Sequence, residues 1–447
     1  MKTCHLPVFF LLLGSLLFSA CASPSAGQTP PTAAPTTQSS DTNQVVIRIA
    51  AGAIGLEKSL TQEGAQRYMD AHPDVRVEVI DVPELTDERL KFYQPYFESQ
   101  SPDIDIYQID VIWPGDLAQH FVDLYKYGAA DFAADHFPAI IQNNTVNGKL
   151  VAMPWYTDAG LLYYRTDLFA KYEYNHPPAT WDELEEMAQR IQEGERAAGN
   201  EDFWGFVWQG YAYEGLTCNA LEWIVSNGGG TIISPDKRIT INNLPAMQAI
   251  DRAASWVGTI SPPGVTGFTE EDTRHVFEEG KALFMRNWTY AFPLMNEVGS
   301  EMRGHFKAAP LPAGEGGTPP AILGGWQLAV SRYSLHPDIA ADVVFYLTGH
   351  DEQKIRAIQG GFPPTITALY QDPEALHAVP YLSTLGDVFA NASLRPATTT
   401  APHYSEISPL FYNAVFETLT GKTRAANALV SLEQELKKLL HYRTGKP

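Results

Sequence analysis

The chain has 447 residues, a formal net charge of -21 and 45% hydrophobic residues. Such a charge argues against nucleic acid and anionic membrane surfaces as partners, because both would be repelled within the Debye range. The composition is that of a globular protein, and the roughly 400 residues after the N-terminal segment exceed one ordinary core, which predicts two lobes.

The N-terminus has the three regions of a secretory signal. Lys2 precedes an apolar run over residues 6–18, and small residues follow as far as Cys21. The run is well short of the roughly 20 residues of a membrane-spanning helix, so we interpret residues 1–21 as a signal peptide. Its end, LFSAC, resembles a bacterial lipoprotein signal, which implies that Cys21 is lipidated and becomes the mature N-terminus. Ordinary secretion is the alternative, and both place the protein outside the cytoplasm.

Residues 22–44 are predicted to form a disordered tether, because their Ser, Thr, Pro, Ala, Gln and Gly residues show no apolar periodicity. The chain has three cysteines. Cys4 leaves with the signal and Cys21 is the proposed lipid site, so Cys218 remains alone in the folded body. A single thiol forms neither a disulfide framework nor a zinc cluster. We therefore expect no metal and no cofactor.

The folded body begins with a βαβαβ pattern. The strands VVIRIAAGA, VRVEVIDV and DIDIYQID alternate with helical stretches at 57–71 and 86–99, which predicts a parallel sheet. The carboxyl ends of such strands share one edge, so Glu57 and Asp110 should lie at one cleft rim. The structural alternatives are a helix-start acid for Glu57 and a simple cap for Asp110.

The stretch MPWYTDAGLLYY, residues 153–164, is the most informative one. Its proline, aromatic and carboxylate residues are unfavourable for a plain strand, whereas 161–164 is typical of a buried strand. We expect Tyr156 and Asp158 where a strand enters or leaves a sheet, a common place for a ligand cleft. The alternative is a proline-led loop whose aromatic residues only cover the core.

Further along, Thr180 and Glu183 form a capping-box pattern. The three glycines 228–230 follow a predicted helix and lack a Lys-Ser/Thr pair, so they indicate a helix stop rather than a phosphate loop. A glycine pair before Trp326 allows close backbone approach. The other predicted elements are strands at 203–208 and 282–285 and helices at 214–227, 243–258, 269–279, 337–348, 352–359, 405–419 and 423–441.

Five stretches together resemble extracellular solute-binding protein family 1, the binding proteins of ABC importers, and are closest to its trehalose/maltose-binding branch: WYTDAGLLYYRTDLF, PPATWDELEEMAQRIQEGER, FWGFVWQGYAYEGLTCNALEW, MRNWTYAF and LGGWQLAVSRYS. The resemblance implies an α/β, two-lobe periplasmic-binding-protein fold, maltose-binding-protein-like and of class II, with ligand in the interlobe cleft. Residues 45–155 and 326–370 would form the N-terminal lobe, and residues 156–325 and 371–447 the C-terminal lobe.

The resemblance also implies ligand-binding residues. The family binds sugar through carboxylates, basic residues, aromatic rings and a glycine pair whose backbone lies close to the ligand. These match the following positions: Glu57, Arg89, Asp110, Tyr156, Asp158, Trp288, Gly324, Gly325, Trp326 and Arg395. Such residue types suit a sugar independently of the family. Carboxylates accept from hydroxyls, arginine donates in a rigid fork, and aromatic faces pack on pyranose C–H patches. The sequence AIGLE around Glu57 is less polar than the family pattern, which bears on the identity of the sugar.

The predicted function is that of a lipoprotein without enzymatic activity. It would capture a trehalose- or maltose-type disaccharide by lobe closure and deliver it to an ABC permease, as a monomer held to the membrane by its lipid alone. A binder of glucosylglycerol or sucrose is an alternative. A glycoside hydrolase is another, because carboxylates flanked by Trp also describe a hydrolytic cleft, although no pair is marked as acid and nucleophile. Peptide or metal binding is a further alternative, but the histidines are scattered singly.

Overall fold

The computed structural model describes residues 44–314, 319–390 and 392–447. The predicted signal with Cys21, and the predicted tether apart from Gln44, lie outside the described residues. The strands are β1 Val45–Ala51, β2 Val75–Asp81, β3 Ile106–Asp110, β4 Thr145–Val146, β5 Lys149–Leu150, β6 Met153–Ala159, β7 Leu161–Arg165, β8 Trp204–Val207, β9 Arg238–Ile239, β10 Ala282–Asn287, β11 Phe306–Pro310, β12 Leu323–Val330 and β13 Arg443–Thr444.

The helices are α1 Glu57–Ala71, α2 Thr86–Glu98, α3 Pro114–Leu117, α4 Ala130–Ala133, α5 Pro138–Asn143, α6 Thr166–Lys171, α7 Trp181–Ala197, α8 Glu214–Ser226, α9 Leu244–Trp256, α10 Glu270–Glu278, α11 Ala291–Met295, α12 Pro337–Leu347, α13 His350–Gly360, α14 Pro373–Ala378, α15 Leu382–Ala390, α16 Ala397–Thr400, α17 Tyr404–Leu419 and α18 Ala425–Leu440. Short 3-10 turns occur at Ala118–His120, Leu124–Tyr127, Pro263–Gly267 and Thr367–Gln371. None of the helices within these described ranges is both long and apolar enough to cross a membrane.

The first sheet has five strands in the order β2-β1-β3-β12-β6. Strand β1 runs parallel to β2 and β3, as the βαβαβ pattern predicts, whereas β12 runs antiparallel to both β3 and β6. Both faces are buried: Ile47 and Ile49 belong to the core under α1 and α12, and Ala50 to the core with Tyr93 on the other face. A parallel sheet covered on both faces needs such apolar runs.

The second sheet has four strands in the order β11-β7-β10-β8. Strand β7 lies antiparallel to β10 and β11, and β8 runs parallel to β10. Its two faces are covered by separate apolar clusters, one centred on α7, α8 and α17 and the other on Phe277, Met285 and Phe306. The two sheets therefore have cores of their own, as expected for two lobes.

The chain passes from the first sheet to the second at Gly160, the single residue between β6 and β7. The predicted strand at 161–164 is confirmed as β7, but the prediction that the residues before it are unfavourable for a plain strand is wrong, because they form β6, in which every residue is buried. Strand β6 is an edge strand, where proline is tolerated. Tyr156 lies opposite Trp326 and Pro154 opposite Gln327, which leaves Trp155 as the extra residue of a β-bulge.

The helices and strands predicted from strong periodicity are confirmed. Helix α1 has the predicted bounds, α2 ends one residue early, and Thr180 caps α7 by accepting from the Glu183 N–H at 3.2 Å. The Glu183 carboxylate accepts from the Ala179 N–H at 2.7 Å instead of the cap residue's own amide. Strands β11 and β12 were not predicted. Glycine has low strand propensity, so the glycine pair hid β12, although pairing with β3 and β6 fixes that strand.

Candidate functional site

A cleft is lined by residues of the first sheet and by residues of α8, the start of α10 and the segment after β10. Nine of the ten residues predicted to bind ligand line it, and Arg89 does not. Sequence reasoning did not select the other lining residues as site residues. The lining consists of Ile54, Glu57, Glu84, Leu85, Thr86, Asp110, Tyr156, Asp158, Tyr213, Glu214, Gly215, Cys218, Glu270, Trp288, Tyr290, Gly324, Gly325, Trp326, Phe362 and Arg395.

Glu57 is the first residue of α1, directly after the turn that follows β1, so it is a helix-start acid and a cleft residue at once. Its side chain is 2% exposed. Oε1 accepts hydrogen bonds from the Gln108 amide and the Tyr156 hydroxyl, whereas the buried Oε2 has no hydrogen-bond partner. Burial, and next the Glu57 charge, raise the pKa of Tyr156, so the tyrosine stays a donor. One carboxylate oxygen thus remains available.

Asp158 lies in β6 opposite Gly324 and is 8% exposed. The Thr289 N–H donates to its Oδ1 at 3.1 Å, the Thr289 hydroxyl at 2.9 Å, and the Ala159 N–H at 2.9 Å. Burial raises the pKa of Asp158 to about 7, against the lowering effect of these donors. Because all three donors use Oδ1, the carboxylate is held rigidly while Oδ2 stays free.

The predicted close backbone at the glycine pair is a contact between strands. Gly325 has φ of +126°, a conformation that other residues rarely adopt, and a Cβ there would lie 2.6 Å from the Tyr156 carbonyl oxygen. A Cβ on Gly324 would lie 3.2 Å from the Trp288 ring and 3.3 Å from Asp158. The glycines therefore allow β12 to pass between the two strongest ligand-binding candidates, an aromatic ring and a carboxylate.

Arg395 joins the two sheets at the bottom of the cleft. Its Nη2 donates to Asp110 Oδ1 at 3.0 Å, after β3, and its Nη1 donates to Glu214 Oε1 at 2.8 Å, at the start of α8. The three side chains are at most 8% exposed. Glu214 also accepts from Tyr404 at 2.7 Å and Ser408 at 2.5 Å. Burial raises the pKa of Glu214 to about 7 despite Arg395.

Glu214 was not predicted as a site residue, although the sequence holds a signal for it. Helix α8 is buried on nearly all sides, and an acid at the start of such a helix needs a buried partner. That partner, Arg395, lies 181 residues later, which local patterns do not show. Asp110 was expected at the cleft rim, and it lines the cleft. It also acts as a local cap, because its Oδ1 accepts from the Ile112 N–H at 3.1 Å.

Trp288 and Trp326 are both half-buried, and each has a buried guanidinium stacked on its ring. The Arg286 Cζ lies 3.9 Å from the Trp288 ring centroid, and the Arg89 Cζ lies 4.0 Å from that of Trp326. Arg89 is fully buried, and its Nε donates to the Pro83 carbonyl at 2.9 Å. The structure thus places Arg89 behind Trp326, where cation–π contact fixes the ring.

Glu270, Tyr213 and Cys218 also line the cleft and were not selected as site residues. Glu270 accepts from the Tyr213 hydroxyl at 2.5 Å and from the Trp288 indole N–H at 3.2 Å. Cys218 lies in α8, as predicted, and burial raises the pKa of its thiol. Despite the many carboxylates, the described residues contain no group of three or more His, Cys, Asp or Glu side chains arranged to hold a metal ion.

Two lobes with carboxylates and tryptophans around a cleft between their sheets define a ligand-binding protein, and the comparisons identify its family. The model of the bacterial extracellular solute-binding protein family matches residues 53–354. The chain belongs to that family. Membership places it outside the cytoplasm and identifies it as a binding protein of ABC transporters, not an enzyme. The predictions of family and fold class are confirmed.

Individual proteins show the same relationship. The chain is 48% identical over 400 residues to a "Probable ABC transporter-binding protein" of Deinococcus radiodurans, covering 90% of this chain and 95% of that protein. Maltose-bound MalE3 of T. maritima superposes with a TM-score of 0.84 at 38% identity, over 89% of this chain and all of that one. The GacH receptor of Streptomyces glaucescens, solved unliganded and with acarbose, shares the fold at a TM-score of 0.78 and 21% identity, over 90% and 100%.

Proposed function

We propose that this protein is the substrate-binding component of an ABC importer for a disaccharide or similar small glycoside of the maltose or trehalose type. The observation that carries the proposal is the cleft itself, with the unpartnered Glu57 Oε2 and the rigid Asp158 between two tryptophans. A buried acceptor without a donor costs free energy, which sugar hydroxyls would recover. The maltose bound to MalE3 supports this ligand class.

The aromatic side chains of the cleft suit such a ligand. Trp288 and Trp326 present rings that can pack on the C–H faces of pyranoses. We propose that all ten predicted residues serve the ligand, nine by lining the cleft and Arg89 by fixing Trp326.

Lobe closure is the proposed mechanism of capture. The bonds between the sheets are polar: Arg395 bridges Asp110 and Glu214, and the Glu214 N–H donates to Asp87 at 2.8 Å. Water can replace these polar contacts. In an open form the carboxylates would be hydrated, and in a closed form sugar hydroxyls would pair with them. Ligand binding would therefore shift the equilibrium towards the closed form. The permease subunits of the importer would then receive the closed form from a monomeric binding protein.

Titration of the purified protein with maltose, trehalose, sucrose and glucosylglycerol tests the proposal. At a hundred times its dissociation constant, the true ligand should stabilise the protein by roughly 2.7 kcal/mol and reduce its radius of gyration in solution scattering. Ribitol and mannitol serve as smaller polyol controls. If no glycoside raises the melting temperature, the proposed ligand class is wrong. A bound glycoside with an unchanged radius of gyration would refute closure alone.

Lipid anchoring through Cys21 is the proposed means of localisation, followed by residues 22–44 as a tether. The Cys21→Ser protein should lack the acyl mass of the mature wild-type protein and leave the membrane fraction, with the affinity for ligand unchanged. Mass spectrometry of the N-terminal peptide and fractionation of cells measure both effects. Cys218→Ser is the matched control, because that thiol is buried in α8. A wild-type N-terminal peptide without acyl mass would contradict the anchor.

A further inference from the structure

Most of the charged side chains that line the cleft are negative. Six carboxylates line it: Glu57, Glu84, Asp110, Asp158, Glu214 and Glu270. Among the lining residues that the structure describes, Arg395 is the single cation. Its ion pairs with Asp110 and Glu214 offset its charge, although its buried Nε has no hydrogen-bond partner. A negatively charged ligand group would therefore meet carboxylates and one arginine that is already paired with two of them.

The arginines behind the lining do not correct this balance. Arg89 is fully buried against Trp326, and Arg286 is 1% exposed and paired with Glu222 at 2.5 Å. Arg356 is 2% exposed and stacks on Trp155 with its Cζ 3.9 Å from the ring centroid. Arg89 Nη1 and Arg356 Nε and Nη2 have no hydrogen-bond partner, but these atoms are buried, and none of the three arginines lines the cleft. The three side chains therefore support the walls of the cleft from behind.

Besides Asp158 with its free Oδ2, two lining carboxylates have oxygens without a partner. Glu57 Oε2 is buried and accepts no hydrogen bond. Glu84 lies in the turn between β2 and α2, is exposed, and its carboxylate takes part in none of the ion pairs within the described ranges. Burial first, and then the charges of Glu271 and Glu57, raise the pKa of Glu84. Glu271 belongs to α10 and pairs with Arg274 at 2.7 Å, so its charge is partly offset, whereas the charge of Glu84 is not offset by any ion pair that the structure describes.

We propose that the cleft selects its ligand by charge: it rejects anionic glycosides such as uronosides and sugar phosphates, admits neutral ones, and binds most tightly a glycoside that carries an ammonium group near Glu84. This inference rests on the proposed sugar-binding function and narrows its substrate class. The physical reason is that a like charge in a poorly hydrated cleft is repelled, whereas a cation pairs with carboxylates that have no partner of their own. A neutral hydroxyl can donate to the same oxygens, but its hydrogen bond is weaker than that of an ammonium group.

The test uses the neutral disaccharide that binds most tightly, together with its 6-carboxylate and 6-amino derivatives at each ring. With wild-type protein, we expect both carboxylates to bind roughly 100-fold more weakly than the neutral sugar, and one amine to bind roughly tenfold more tightly, at low salt. Raising the salt concentration should shrink both ratios. Equal affinities for the anionic and neutral sugars, or no amine that binds more tightly, would overturn the inference.

A matched pair of variants assigns the effect to one residue. In Glu84→Gln, the affinity ratios of amine to neutral sugar and of neutral sugar to carboxylate should each fall by about tenfold. Each ratio compares ligands on one variant, so a general loss of affinity cancels. Glu88→Gln is the control, because Glu88 is an exposed acid in the first turn of α2, four residues after Glu84, and does not line the cleft. Its ratios should equal those of the wild type. Unchanged ratios in Glu84→Gln would refute the role of Glu84. Failure of the neutral sugar to bind would refute the proposed function itself.

Discussion

The Arg395→Gln variant is expected to lose about 3 to 5 kcal/mol of unfolding free energy, because removal of one member of a buried charge network leaves the others unpaired. Here two carboxylates lose their cation together, since Arg395 bonds both Asp110 and Glu214. The bridge also ties β3 to α8, so the two sheets lose a shared contact. Denaturant unfolding of the protein without ligand measures the effect.

The loss should depend on pH with a definite sign. The pKa of Glu214 in the folded protein is raised to about 7, so the folded state holds a proton that the unfolded state releases, and stability falls as pH rises from about 4 towards 7. Without Arg395 that pKa rises further. The variant should therefore be closer to the wild type at pH 5 than at pH 8.

Two controls keep this prediction specific. Arg76→Gln removes an exposed arginine, 60% accessible and paired with Glu78, and should cost less than about 1 kcal/mol. Adding Asp110→Asn and Glu214→Gln to Arg395→Gln removes the stranded charges and should restore much of the lost stability. A cost in Arg395→Gln no larger than in Arg76→Gln would show that the network does not hold the lobes.

The sequence predicted the parts of the fold that depend on local pattern. Apolar patterns indicated α1, α2 and the three parallel strands, and a capping pattern indicated α7, because those signals lie within one element. The antiparallel β12 could not be found in this way, since its place between β3 and β6 depends on pairing with residues far away in the chain. The bulge at Trp155 also depends on that pairing, which is why β6 was misjudged.

The same limit applies to the site. Resemblance placed nine residues that line the cleft, because each belongs to a short motif in one stretch of sequence. Glu84, Glu214 and Glu270 were missed, because only the folded chain brings their turns and helix starts together. The position of Arg89 behind Trp326 was also not predicted. The sequence places Arg89 on a helix beside the sheet, but it does not show which ring the guanidinium contacts.

The Asp158→Asn variant is expected to bind the ligand more weakly by about 1.5 to 3 kcal/mol, the usual value of a hydrogen bond to a charged group. Its Oδ1 would still accept from Thr289 and Ala159, so the strand keeps its shape, whereas the free Oδ2 is replaced by a neutral amide. Calorimetric titration at pH 8, above the pKa of about 7, compares the ionised carboxylate with the amide.

Although Asp158→Asn lowers the affinity for ligand, the free energy of unfolding of the ligand-free protein should rise or stay unchanged. The raised pKa of Asp158 means that ionisation between pH 4 and pH 7 destabilises the wild type, and asparagine removes that ionisation. The melting temperature of Asp158→Asn should thus depend less on pH, and at pH 8 it should equal or exceed that of the wild type. Asp202→Asn, an exposed turn residue, is the matched control. Full ligand affinity combined with a lowered melting temperature in Asp158→Asn would assign Asp158 to the core and remove it from the binding site.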